Sequence, residues 1–445
     1  MAVSPPKKNP ADVLADVYEI TRMALRTRNL NVNLVYEGSE YIIYGTGIDF
    51  RTTSCKAAVN RQSGIEVIAL DNQGQRSLSS YVSYDEKTPK CGKLVIDRMR
   101  HFAKSTTFDI KTFIGLQYIN VSLNPSWPFH ILPLENEDYC IRIQSHQGRV
   151  TKFSEEALGV IFEEIKKKTE EFQANALTEV VICIPYHFDK DQRIAVYIAA
   201  NIGKWKTVHF LPESLAVVFA YWYCKYETPA PGTFAVIDLG GTNLNICILD
   251  VKDNEIVTLS YLNNEYVGGK VFDLILADYL EKKLMSEFET KIPDNKKYKL
   301  IAESQKMKED LSFYEDASLD VSDFDCSKDG FISVTRTDFE AMTLSLLSEI
   351  KKDIHETFVE AKIHVDKVLY AGGGCKMPMI KKVIREIFND GQQQWCETSP
   401  DEVVAIGAAY YAYYLKLKQF RRGDFIMNSK AAKIMCAVST QHMPI

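Results

Sequence analysis

Two aspartates, Asp49 and Asp238, end strand-like runs, and after one apolar residue each leads into a turn of small, charged or hydroxyl-bearing residues. The first passage, from Tyr44, reads YGTGIDFRTTSCKAAV, and the second, from Phe234, reads FAVIDLGGTNLNICIL. Such turns can present backbone N–H groups to phosphate oxygens, and a carboxylate at the strand end can hold a hydrated Mg²⁺ beside them. A third turn, Gly372, Gly373 and Gly374, follows the strand-like run ending at Ala371 and leads into a helix marked by Met379, Ile380, Val383, Ile384, Ile387 and Phe388. Strand, glycine turn, helix suits an anion, so three such turns predict a clamp for a nucleotide. The alternative is that Gly240 and Gly241 only close a tight hairpin. No Walker A motif, no GxGxxG after the first strand and no kinase catalytic loop occurs, which disfavours P-loop, Rossmann and protein-kinase chemistry.

The elements that must position these residues alternate between strands and long helices. Strand, Asp, turn, strand occurs twice, which on its own suits equally two related halves, each opened by a hairpin, and two unrelated hairpins. Ser399-Pro400-Asp401-Glu402 reads as a capped helix start before Val403 to Lys418, with Gly407, Ala408 and Ala409 allowing close packing. Thr337 with Glu340 predicts a long helix to about Ala361, and Ser154 with Glu155 and Glu156 one over Ala157 to Phe172. A polar arm, Met1 to Pro10, precedes an expected amphipathic helix over Ala11 to Arg28. The class is α/β.

Composition narrows the partners. With 445 residues, 46% hydrophobic, 25% charged and a net charge of -6, the chain is ordinary globular protein, not a disordered, collagenous or coiled-coil one. A pI near 5.9 without a basic stripe argues against nucleic acid. The apolar run Ala216 to Cys224 is too short to cross a bilayer, and the N-terminus has no signal-peptide core, so no membrane is expected. Ten cysteines without a CxxC pair read as reduced, partly buried thiols, which predicts a cytoplasmic or nuclear protein.

In this order, GIDFRTTSC, IPYHFDKDQR with IAANIGKWKTVHFLPESLAVVFAY, VIDLGGTNLNICILD, EYVGGKVFD, ESQKMKEDLS, VLYAGGGCKMPMIKKVI and SPDEVVAIGAAYYA resemble the nucleotide-binding domain of the 70-kilodalton heat-shock protein chaperone family. The resemblance runs from about Tyr41 to Leu417 and implies an actin-like ATPase fold, two related lobes around a central nucleotide cleft. It divides the chain into an N-terminal arm and helix (1–39), lobe I (40–231), lobe II (232–420) and a tail (421–445). It implies ATP or ADP with Mg²⁺, held through water by Asp49 and Asp238, with Glu213 as a further acid. Arg51, Thr52, Thr53 and Ser54 match the first phosphate turn, and Gly240, Gly241, Thr242 and Asn243 the second. Gly268 and Gly269 match a pair near the phosphates. Gln305, Lys308, Glu309 and Ser312 match the adenosine pocket, Gly372, Gly373, Gly374 and Lys376 its glycine wall, and Asp401 an acid at a helix start. Pro185 and Arg193 match positions that couple nucleotide state to lobe closure.

Departures gather where hydrolysis happens. Ungapped matching puts Ile96 where the family has a water-orienting lysine, with Lys93 the nearest substitute. Thr242, Asn243 and Asn245 replace a glycine, a threonine and an aspartate; Arg51 replaces a glycine; Glu309 replaces an arginine that packs on the base. These changes predict weak or absent hydrolysis, a pseudo-ATPase. The family's acidic leucine-rich linker, peptide-binding sandwich and lid have no match after the last helix, which predicts no direct peptide clamp. The expected role is a nucleotide-dependent switch or regulator in chaperone-assisted folding and the stress response. Its partners would be co-chaperones, exchange factors or other chaperones. Alternatives are an active slow ATPase and a nucleotide-free scaffold; a small-molecule kinase would need an acceptor pocket and base that the sequence does not reveal.

Overall fold

The computed structural model describes residues 23–24 and 45–422, apart from 62, 226–230, 253–254, 294–295, 362–363, 389–392, 396 and 398. Two mixed sheets organise the chain. The first contains β1 (Thr46–Asp49), β2 (Ser54–Arg61), β3 (Gly64–Val67), β4 (Glu179–Ile184) and β5 (Thr207–Pro212), in the order β5-β4-β1-β2-β3. The second contains β6 (Gly232–Leu239), β7 (Leu244–Lys252), β8 (Glu255–Asn264), β9 (Lys367–Ala371) and β10 (Gln393–Trp395), in the order β8-β7-β6-β9-β10. β1 runs parallel to β4 and antiparallel to β2, and β6 runs parallel to β9 and antiparallel to β7. Strand for strand, one sheet repeats the other. The central strands are covered on both faces: all of β1 is buried, as is β6 from Thr233 onward, with the apolar run Phe234 to Ile237 at its centre.

Ten helices cover the sheets among the described residues: α1 (Lys93–Phe102), α2 (Ser154–Gln173), α3 (Lys190–Ile202), α4 (Glu213–Lys225), α5 (Gly269–Phe288), α6 (Lys297–Asp310), α7 (Arg336–Met342), α8 (Leu344–Ala361), α9 (Pro378–Ile387) and α10 (Val403–Arg422). One core packs α2 and α3 on the first sheet through Ile161, Phe162, Val196 and Ala199. A second packs α5, α8 and α9 on the next through Phe272, Leu276, Ile350 and Ile380. The third lies between them, where α4 meets α10. Ser214 to Trp222 of α4 are all buried, as a helix apolar on every side requires. α10 presses so closely on α4 that a Cβ at Gly407 would stand 1.8 Å from the Ala216 carbonyl oxygen. Although its sequence falls in the second half, α10 also packs on the first sheet, where Ala405 and Ala409 meet Ala58.

Two helix expectations need correction. Within the expected N-terminal helix only Met23–Ala24 are described, and they form a two-residue strand on the free edge of β8, whose backbone groups supply partners; the rest of that segment, like the tail beyond 422, lies outside the described residues. The helix expected from Thr337 starts instead at Arg336, capped by Thr335 with Asp338, and breaks at Thr343 before α8 begins. Thr343 turns its hydroxyl back onto the Phe339 carbonyl, the kind of bond by which threonine competes with a helix.

Candidate functional site

The ends of β1 and β6 face each other across a cavity of about 1120 Å³ between the two sheets. Asp49 and Asp238 are both buried at these ends. Arg51 joins them: its Nε donates to Asp49 Oδ2 at 2.6 Å, while Nη1 and Nη2 donate to the two oxygens of Asp238 at 2.8 and 3.0 Å. Burial pushes the Asp49 carboxyl up to about 6 against the pull of Arg51. Burial also works against the charge on Arg51, but Asp238 and Asp49 outweigh it and hold the guanidinium well above its ordinary range. Asp49 Oδ1 is buried without a hydrogen-bond partner.

The catalytic lysine expected at Lys93 is not in the cavity. Lys93 is exposed in the first turn of α1, and it does not line the cleft, although Ile96 of the same helix does. Besides Arg51, a lysine that does stand near the carboxylates is Lys111, which was not among the expected site residues. It lies in the short turn Ile110–Thr112 and donates from Nζ to the Phe50 carbonyl at 2.6 Å and to Glu213 Oε1. Its signal was present: in FDIKTFIG, Lys111 stands among Phe108, Ile110, Phe113 and Ile114, and a lysine packed into such a stretch requires a partner.

Further polar bridges span the cleft. The hydroxyl of Thr242 donates to that of Thr52 at 3.0 Å, and Lys270 at the start of α5 reaches Asp109 at 2.5 Å. Asp401, just before α10, pairs with Lys56 of β2 at 2.7 Å and with Lys376 after β9 at 2.6 Å. Burial would raise the Asp401 carboxyl, but the two ammonium groups prevail and hold it at about 2. Lys56 and Lys270 are further site residues that the sequence reasoning did not single out.

Most expected contacts do line the cavity. Arg51, Thr53 and Ser54 approach from the first turn, Gly240, Gly241 and Gly269 from the second lobe, and Gly373, Gly374, Lys376 and Asp401 from the third turn. Gln305, Lys308, Glu309 and Ser312 stand along α6 and its end. Lys308 is tied to Asp273 at 2.7 Å and to the Gly269 carbonyl at 3.2 Å, and Gln305 donates to Glu309 at 2.9 Å. Thr52, Thr242, Asn243, Gly268 and Gly372 support the turns without lining the cavity. Gly372 has φ +81, and a Cβ there would stand 2.2 Å from the Leu239 carbonyl oxygen, so this turn requires glycine. Behind the carboxylates, Glu213, Asp238 and Asn245 border a small separate void, where Tyr261 donates to Asn245 Oδ1 at 2.9 Å and contacts His187 at 2.8 Å.

The cavity and its turns fit a nucleotide, but Asp49 and Asp238 as they stand do not fit a hydrated Mg²⁺. That ion demands a near-octahedral shell of oxygens at about 2.0–2.1 Å and keeps several waters. Arg51 bonds three of the four carboxylate oxygens directly and stands between the two groups, where the water shell would lie; only Asp49 Oδ1 is left without a partner. Among the described residues, no group of three or more His, Cys, Asp or Glu is placed to hold a metal ion elsewhere.

Comparison with known proteins agrees with this geometry. The heat shock cognate 70 kDa protein 3 of Dictyostelium discoideum is 26% identical over 379 residues, covering 83% of this chain, and the chain spans 60% of that relative's length. A family model described as Hsp70 protein matches residues 45–428, a stretch that takes in both sheets, the three turns and α10. Two sheets of one topology, closing on a cleft walled by phosphate-type turns, are thus the structure of a divergent chain that belongs to the Hsp70 family.

Proposed function

We propose that the chain binds ATP or ADP in the central cleft and works as a nucleotide-dependent switch or regulator in chaperone-assisted protein folding. One observation carries this reading: the cavity between the repeated sheets is walled by the Thr53, Gly240 and Gly373 turns, with Lys308 beside them. Co-chaperones, exchange factors or other chaperones are the partners that fit a module whose lobe angle reports its nucleotide. A cytoplasmic or nuclear setting suits the cysteines, since Cys55, Cys183 and Cys247 are buried thiols outside any disulfide.

Hydrolysis is weak or absent in this reading. Arg51 occupies both metal-side carboxylates, and Asn245, opposite Asp238 in the sheet register, lacks the charge of the aspartate expected there. A second reading, a slow ATPase, is favoured by Lys111, because an ammonium beside Glu213 and the Phe50 carbonyl can orient a water or donate to developing phosphate charge. With Lys111 in this place, Ile96 carries no weight against turnover.

Gly373→Trp tests the binding itself. A Cβ at Gly373 meets nothing nearer than Asp401 Cβ at 4.0 Å, so an indole can enter the cavity without displacing backbone. Fluorescent ADP and ATP should bind saturably to the wild type and not to this variant, with thermal stability nearly unchanged. Equal binding by both proteins would move the nucleotide out of the cleft. Phosphate release measured in the same samples separates the switch from the slow ATPase.

A further inference from the structure

We infer that Arg51 is a tethered cation that takes the place of a divalent metal, so that the cleft receives nucleoside phosphates free of metal. This rests on nucleotide binding in the cleft, but its structural core does not. Asp49 and Asp238 end the two equivalent strands, and one guanidinium bonds both through three N–H groups. An arginine has five such donors, so two remain, one on each terminal nitrogen. Its side chain is 14% exposed and lines the large cavity, which is the direction open to a ligand. Nη1 lies 3.5 Å from where a Cβ at Gly240 would stand, so the guanidinium rests against the second glycine turn, where phosphate oxygens would be held.

The charges close on themselves in the same way. Lys111 pairs with Glu213, Lys270 with Asp109, and Lys56 and Lys376 with Asp401, which leaves no carboxylate of this set waiting for a cation. A planar fork matches a carboxylate on one edge and phosphate oxygens on another, and it cannot lose its proton at working pH. It supplies one positive charge where a metal supplies two, and it cannot dissociate. Nucleotide affinity in this chain is therefore independent of Mg²⁺.

The test uses the full chain and titrates ADP by calorimetry in EDTA and in saturating Mg²⁺. Wild-type affinity should differ by less than about twofold between the two buffers, whereas Arg51→Gly should bind at least about tenfold tighter with Mg²⁺ than without. A wild-type affinity that collapses in EDTA would overturn the proposal, because the guanidinium would then have swung aside for the metal. This comparison stands even if Arg51→Gly does not fold. If neither ADP nor ATP binds the wild type, the nucleotide reading fails, and paramagnetic resonance of Mn²⁺ with nucleotide-free protein decides the remainder. No bound Mn²⁺ in the wild type supports the replacement of the metal by Arg51; one tightly bound Mn²⁺ lost in Asp238→Asn overturns it.

Discussion

Asp401→Asn should weaken the fold in a way that pH reveals. Asp401 joins Lys56 of the first sheet to Lys376 of the second lobe, and the pair of ammonium groups lowers its carboxyl from 3.8 to about 2 although burial opposes them. A shift of just under two units, at 1.36 kcal/mol per unit, corresponds to about 2 kcal/mol of stability at neutral pH. Because the folded carboxyl is the stronger acid, this contribution is fully present above about pH 4, where the unfolded chain is already ionised, and is lost as pH falls toward 2. Urea unfolding of wild type and Asp401→Asn at matched pH measures it. The gap should be about 2 kcal/mol at pH 7 and shrink to about 1 kcal/mol at pH 3, with the same dependence on denaturant. A gap that is absent at pH 7, or one that does not narrow in acid, would show that the bridge is a surface contact and not a clamp between lobes.

Lys111→Met leaves Glu213 buried without its cation, so stability should drop by about 3 kcal/mol, and any phosphate release should fall by about a hundredfold or more; turnover that survives would remove Lys111 from the chemistry. Lys93→Ala, at an exposed position, should stay within about 0.5 kcal/mol of wild type and bind nucleotide normally, and a loss of turnover there would return the role to Lys93. Gly407→Ala forces a methyl to within 1.8 Å of the Ala216 carbonyl oxygen and should cost at least about 3 kcal/mol by denaturant titration; a neutral result would mean that α4 and α10 separate easily.

Much of the fold was legible because its signals are local. Strand, Asp, turn, strand depends on neighbouring residues, and so do the glycine turn before α9 and the capped start of α10; the family resemblance added their order. The alternation therefore carries the α/β class, while the two halves follow from the repeat only together with the resemblance. Helix ends were less legible, since Thr343 breaks the α7–α8 run through a hydroxyl bond that its sequence neighbours do not require.

The site itself divides along the same physical line. Which residues stand at the strand ends follows from backbone pattern, so Asp49, Asp238 and the three turns were readable in the chain. Where a long charged side chain places its head depends on what the other half of the protein brings to it. Arg51 reads in sequence only as an oversized residue in a phosphate turn, and its partner Asp238 lies 187 positions away. Lys111 reads as one lysine in a stretch rich in Phe and Ile, and only the packing of its turn against α4 sets it beside Glu213, 102 positions on. Local chemistry thus determined the carboxylates and the turns, while tertiary structure alone decided which cations answer them, because ion pairing is set by distance in space and not by spacing along the chain.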